Sequence, residues 1–335
     1  MKIGIAGAGL VGRLLAFELA SKGHQVKVFD PAPDALARTG AGWTAAGMLS
    51  PIAELECADL RTMQRGLRSL ELWPAIVAAL PEPVLFRRNG SLLLAHGGDL
   101  GAAQRLLDVI RAKAPSAQAP MAIDKQQLQT LEPAVHGPQH AWLLANEGQI
   151  DTIQAMQALA AGAVNAGAGF HFCRSVYKLA PRIIEDERFD WVFDARGVGA
   201  RPDLPVRGVR GEVFWLQAPG LGLNRPLRLL HPRYRVYVVP RDEGKVLVGA
   251  SEIESEDRSG VSVRTTLELL SAAHSVIPEL AEARLIHTET NLRPALPDNL
   301  PLIQTMPGLS RINGLFRHGW LLAPALVEEA LKAVL

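Results

Sequence analysis

The hydrophobic pattern changes period twice within the first thirty residues. KIGIA, Lys2 to Ala6, is a short apolar run; LVGRLLAFELASK, Leu10 to Lys22, spaces its apolar residues for a helix; QVKVF, Gln25 to Phe29, reads as a second strand. Together they predict a β-α-β unit. Amphipathic periodicity then predicts helices over Asp59 to Leu80, Leu100 to Ala114 and Lys125 to Leu131, with Pro81 ending the first and Asp124 capping the third. Asp151 caps another, TIQAMQALAAGAVNAG, whose small residues suit close packing on a sheet. FRRNGSLLLAH carries Asn89-Gly90 between two strand-like runs, a hairpin signal. WVFDARGVGAR reads as a strand entering a glycine turn, and Val209 to Ala250 as a strand-rich meander with EVFWLQA, VYVVPR and KVLVGAS. A helix over Arg264 to Val276 precedes Pro278, and a last helix opens near Trp320. The alternation predicts an α/β fold, a Rossmann-like nucleotide-binding domain interrupted by insertions that form a second, mostly antiparallel layer.

Composition narrows the function classes. With 335 residues, 48% of them hydrophobic, the chain can bury one large core or two interleaved ones. A formal net charge of +1 with interspersed signs leaves no basic stripe for nucleic acid or anionic lipid, so a small-molecule partner is expected. Cys57 and Cys173 are too few for a disulfide framework and are not spaced as a CxxC pair, which suits a reducing cytoplasm; no metal site is expected. The apolar N-terminus superficially resembles a signal peptide, but its glycine spacing and the strand that follows argue against one. No stretch approaches about 18 uninterrupted apolar residues, so no membrane span is expected.

The most interpretable motif is GAGLVG, with Gly7, Gly9, Leu10, Val11 and Gly12 between the first strand and the first helix. Gly7 permits the tight turn, Gly9 lets backbone N–H groups approach a pyrophosphate, and Gly12 lets helix and strand pack closely. Asp30, at the end of the second strand, is placed to accept hydrogen bonds from adenosine ribose hydroxyls. The fingerprint alone does not separate NAD from FAD. FAD needs holding along its length by segments distant in sequence, and AGWTAAGMLSP, DARGVGAR and NGLFRHGWLLAP are candidates.

In chain order GAGLVG, TAAGML, VYVVPR with VLVGAS, NLRPALPDNLPLI and FRHGWLLAP resemble the flavin-dependent amine oxidases of the D-amino-acid oxidase superfamily, most closely the glycine oxidase group of bacterial thiamine biosynthesis. The resemblance spans nearly the full chain. It implies non-covalent FAD and a division into an FAD-binding domain (1–82, 140–203 and 292–335) and an antiparallel-sheet substrate domain (83–139 and 204–291). It further implies that Thr44, Ala45, Ala46, Gly47 and Met48 pass beside the flavin, with Ala195 and Gly197 nearby. Gly314, Arg317, His318, Gly319, Trp320 and Leu321 would set backbone N–H groups and a helix N-terminus against the isoalloxazine. Arg293 is implied to bind a substrate carboxylate, with Tyr237 reaching the same group and Arg317 entering the same cavity as a second cation.

The implied reaction is oxidation of the amine of a small amino acid by hydride transfer from Cα to flavin N5, with oxygen as acceptor. Alternatives are a secondary-amine oxidase or a quinone-linked dehydrogenase of the same fold and, farther off, a non-catalytic flavin-binding redox sensor. Two departures bear on the substrate: Arg235 stands where the glycine oxidase pattern often has histidine, and Glu252 where an apolar residue is usual. Glu252 is expected either to pair with Arg235 or, left free, to select a cationic substrate. A homo-oligomer is compatible with the resemblance.

Overall fold

In the computed structural model, which describes residues 1–231, 233 and 235–335, strands from both ends of the chain lie side by side. Lys2–Ala6 is the centre of a six-stranded sheet in the order Leu302–Met306, Leu309–Asn313, Trp191–Asp194, Lys2–Ala6, Gln25–Phe29 and Gly169–His171. All neighbours are parallel except the edge strand Leu302–Met306. Parallel strands need crossovers, and the near-continuous apolar character of KIGIA and WVFD is that of strands buried on both faces. Helix Leu10–Ser21 packs between Thr152–Asn165 and Gly319–Lys332, and Leu60–Ala78 covers the last of these.

A second sheet of eight strands runs in the order Arg284–Ala295, Arg207–Gln217, Lys245–Gly249, Arg235–Pro240, Leu227–Leu230, Ser91–Ala95, His140–Leu144 and Met121–Ile123. It is antiparallel except where Leu227–Leu230 meets Ser91–Ala95. Val236 and Val238 point to one face, where helix Val263–Val276 contributes Leu269, Ala272, Ala273 and Val276 to a common core. Tyr237 and Val239 point to the other. That alternation aims Tyr237 toward the six-stranded half of the molecule.

Most element predictions match closely: Leu10–Ser21, Leu60–Ala78, Leu100–Lys113, Lys125–Leu131 and Val263–Val276 are helical. Asp124 and Gln127 form a complete capping box, and Asp151 accepts from the N–H groups of Ile153 and Gln154. The Asn89-Gly90 hairpin does not form. Phe86–Arg87 pairs with Gly148–Ile150, whereas Ser91–Ala95 joins the eight-stranded sheet. Gly90 does adopt φ +81°, but its N–H donates to Glu147 O and the Asn89 amide to Asn224 O, so the turn hands the chain from one sheet to another. The meander is likewise partial, because Lys245–Gly249 returns to pair with Arg207–Gln217. His140–Leu144, inside a segment expected to belong to the FAD-binding part, pairs in the eight-stranded sheet.

Candidate functional site

Between the two large sheets lies a cavity of about 1500 Å³, lined at one end by the glycine loop and at the other by Tyr237 and Arg293. At the first end Gly7 has φ +101°, and a side chain there would meet the Ala195 carbonyl. A Cβ on Gly9 would meet no protein atom within 4 Å, so this position faces open cavity. The helix that follows has no side-chain cap at Gly9, leaving the N–H groups of its first turn directed at the cavity. These are the features a pyrophosphate needs.

Asp30 also lines this end, with its carboxylate already engaged: Oδ2 accepts from Ala8 N–H at 2.6 Å and Oδ1 from Ala32 N–H at 2.8 Å. Each oxygen keeps one lone pair for a hydroxyl donor. Behind the loop lies Arg13, a buried cation that the sequence reading passed over. It donates to the carbonyls of Ala8, Met156 and Ala35 at 2.7 to 2.8 Å and lies 5.1 Å from the Trp43 ring centroid. Burial lowers its pKa to about 10.

Thr44, Ala45, Ala46, Gly47 and Met48 line the cavity, as do Gly197 and Ala195, the latter beside Gly7. Asn291 fixes the start of this segment, its Nδ2 donating to Arg38 O, Gly40 O and Thr44 Oγ1. The buried Arg241 donates to Ala46 O. Helix Gly319–Lys332 starts without a side-chain cap, and Arg317, His318, Gly319, Trp320 and Leu321 all line the cavity. Gly314 does not. Its φ of +71° and its packing against Leu296 make it a turn residue behind the wall, and Gly12 likewise lies behind the glycine loop, against Gly7 O.

The far end holds a network of charges. Arg317 donates to Glu54 Oε2 from Nε at 2.9 Å and Nη2 at 2.7 Å, and reaches Glu56 at 3.2 Å and Glu252 at 3.3 Å. Arg228 donates to the other Glu54 oxygen at 2.5 Å, and Arg235 pairs with Glu56 at 2.8 Å. Burial alone would raise the Glu54 carboxyl; Arg317 and Arg228 overcome it and hold the group well below the usual carboxylate range. His318 Nδ1 is 3.3 Å from Glu54, yet burial drives its pKa down to about 4. Arg317, expected as a second cation in the cavity beside Arg293, is therefore not an unpaired one. Arg317 is neutralised by three carboxylates, and Glu252 is paired, to Arg317 and at 3.8 Å to Arg235.

Arg293 differs. Among the described residues its side chain donates only to carbonyls, Ser251 O at 3.0 Å and Arg210 O at 3.4 Å, and burial lowers its pKa. Tyr237 shares this wall, its phenol pushed up by burial against the pull of Arg293. The sequence reading missed Glu54, Glu56 and Arg228. An acidic pair inside the otherwise apolar PIAELECA was the available signal for the first two; Arg228 had none.

The carboxylates are set by Glu147, which is fully buried. It accepts from Ala53 N–H at 2.8 Å and Ser91 Oγ at 2.5 Å, anchoring the turn Ala53–Glu56. No group of histidine, cysteine or acidic side chains suited to a metal occurs among the described residues, and both cysteines are free. No helix among them is long and apolar enough to cross a membrane.

A parallel sheet with an uncapped helix at a glycine loop, and a cavity long enough to continue past a second helix end, define a dinucleotide-dependent oxidoreductase. The chain belongs to the FAD dependent oxidoreductase family, whose profile matches residues 2–330, and FAD is its cofactor. It is 36% identical over 337 residues to a Rhizobium etli protein named as a thiamine biosynthesis oxidoreductase, ThiO, covering 100% of this chain and 97% of that one. The crystal structure of glycine oxidase from Geobacillus kaustophilus superposes with a TM-score of 0.86 at 25% identity, over 99% of this chain and 93% of that one. An iminodiacetate oxidase from a Chelativorans species shares the fold, with a TM-score of 0.82 at 23% identity over 99% and 95% of the two chains.

Proposed function

We propose that the chain oxidises the amine of a small amino acid, with Arg293 holding the substrate carboxylate. The observation that carries this reading is the partly buried Arg293 side chain, which lacks a carboxylate partner among the described residues and lies in the same cavity as the nucleotide loop. A cation in such a place is costly unless an anion completes it. Arg293 offers a guanidinium for bidentate pairing, and the Tyr237 phenol, held protonated by burial, is a donor to the same carboxylate.

Gly7, Gly9 and the start of the first helix would hold the FAD pyrophosphate, Asp30 the ribose, and the segment Thr44 to Met48 with Gly319 to Leu321 the flavin ring. When bound, FAD supplies at N5 the two-electron acceptor for the hydride leaving Cα, and oxygen is the proposed final acceptor. The protein's own part is positional: the carboxylate clamp fixes Cα, and the uncapped helix at Gly319 presents partial positive charge. The resulting imino acid hydrolyses in water to an oxo acid and ammonia. Arg317, carrying three carboxylates, serves in this reading as wall rather than clamp.

The test is anaerobic flavin reduction by a panel of glycine, D-alanine and N-methylglycine. Arg293→Ala should lower kcat/KM by about 2 to 5 kcal/mol of lost transition-state stabilisation, with the flavin spectrum retained. An unimpaired Arg293→Ala enzyme would show that the clamp lies elsewhere.

A further inference from the structure

The charges in the cavity do not balance, and the surplus lies at its mouth. The inner carboxylates Glu54, Glu56 and Glu252 are matched by Arg228, Arg235 and Arg317, and Arg293 is left for one carboxylate. Beyond this cluster the lining continues over Arg233, Arg258 and Arg264, against the single acid Glu268. All three arginines are exposed. Among the described residues none of the three has an ion pair or a side-chain hydrogen bond to a carboxylate; Asp257, next to Arg258 in sequence, is held by Arg210 and Ser259, and Glu256 is engaged at both oxygens by Arg201. The half-exposed Arg235 links the two zones, one edge of its guanidinium held by Glu56 and Nη1 only loosely placed at 3.8 Å from Glu252.

From this asymmetry we propose that the substrate is a dicarboxylic amine, whose second acid group, on the side chain or on the amine nitrogen, is received by Arg235, with the mouth arginines Arg258 and Arg264 adding positive charge around it. The proposal rests on the amine-oxidation reading and leaves its chemical step unchanged. A substrate with one carboxylate is neutralised by Arg293 and leaves the mouth uncompensated; a second carboxylate completes it. A low-dielectric cavity with a cationic rim also concentrates anions ahead of binding, an effect that salt screens over roughly 8 Å at physiological ionic strength. Arg235 and Glu252, the two departures seen in the sequence, thus belong to one device. Glu252 ties Arg317 back, and Arg235 faces outward.

The experiment compares the holoenzyme's kcat/KM for glycine and N-methylglycine with those for D-aspartate and iminodiacetate, at low and at high salt. The expected result is at least a tenfold preference for a dicarboxylic substrate, carried in KM and shrinking as salt rises. D-aspartate and iminodiacetate distinguish an acid on the side chain from one on nitrogen. In the Arg258→Gln/Arg264→Gln protein, the ratio of dicarboxylic to glycine kcat/KM should fall by about tenfold, consistent with the loss of two exposed charges. Flavin reduction by monocarboxylic substrates with no dicarboxylic preference, or a ratio that survives the double substitution, overturns the proposal while leaving amine oxidation intact. Failure of every amine on the panel to reduce the flavin overturns both.

Discussion

The two ends of the cavity are built by opposite means. At the nucleotide end the ligand-facing groups are backbone, supplied by one contiguous β-α-β segment, and side chains are conspicuous by what they leave open at Gly9. At the far end the groups are long charged side chains from residues 54, 56, 228, 235, 252, 293 and 317, brought together by one sheet and three turns. One end recognises a constant cofactor by shape and dipole. The other recognises a variable substrate through a charge balance in which every member depends on the others.

The largest expected effect tests the first end. Gly9→Val should yield folded protein without FAD, because the added side chain meets no protein atom and instead occupies the space a pyrophosphate needs. Flavin absorbance per mole of purified chain is the measurement. Stoichiometric FAD in this variant would remove the glycine loop from the site.

Next in size is Glu54→Gln at the second end. It leaves Arg317 and Arg228 buried with one fewer negative charge, and unfolding of the FAD-free protein by urea should show a loss of about 3 to 5 kcal/mol. A loss below about 1 kcal/mol would mean that Glu56 and Glu252 suffice to hold both guanidiniums.

Legibility followed the same divide. GAGLVG, Asp30 and the first three elements were readable because the spacing within 29 residues fixes their geometry; only the two hydrogen bonds that occupy Asp30 were not. The helix caps Asp124 and Asp151 were readable for the same local reason, whereas Asp59, read as the first residue of its helix, is the N-cap. Arg317 lines the cavity, yet its partners were invisible in the sequence, since Glu54 lies 263 residues away along the chain and nothing in PIAELECA states which cation it meets. The failed Asn89-Gly90 hairpin has a similar origin: the turn chemistry is local and correct, while the choice of sheet is made by Leu227–Leu230 and Gly148–Ile150.

Acid titration separates the two ends by a smaller effect. His318 is buried neutral, its pKa moved from 6.5 to about 4, so between these values the unfolded chain binds a proton that the folded chain refuses. Stability therefore falls as pH drops through that window. Glu54, depressed by its arginines, contributes stability that is present above the ordinary carboxylate range and lost on further acidification. Thermal unfolding followed from neutral pH downward should show the first decline, and His318→Gln should flatten it. An unchanged slope in the variant would assign the decline to other groups.

The smallest effect concerns Glu252, the most exposed carboxylate of the network, whose pairs with Arg317 and Arg235 span 3.3 and 3.8 Å. Such half-exposed pairs are worth roughly 0.2 to 1 kcal/mol, so Glu252→Met should unfold within about 1 kcal/mol of the parent. Arg317 keeps Glu54 and Glu56 in the variant and stays in place. What changes is the potential around Arg293 and the mouth, which becomes more positive by one charge at the boundary between the two. The KM for a dicarboxylic amine should then drop by about two- to threefold, the equivalent of about 0.5 kcal/mol, while a basic amino acid should gain nothing from wild type or variant. Had Glu252 been free in the cavity it would select a cationic side chain, and the substitution would abolish that selection. Basic substrates preferred by wild type and lost in Glu252→Met would therefore show that the carboxylate leaves Arg317 when substrate arrives.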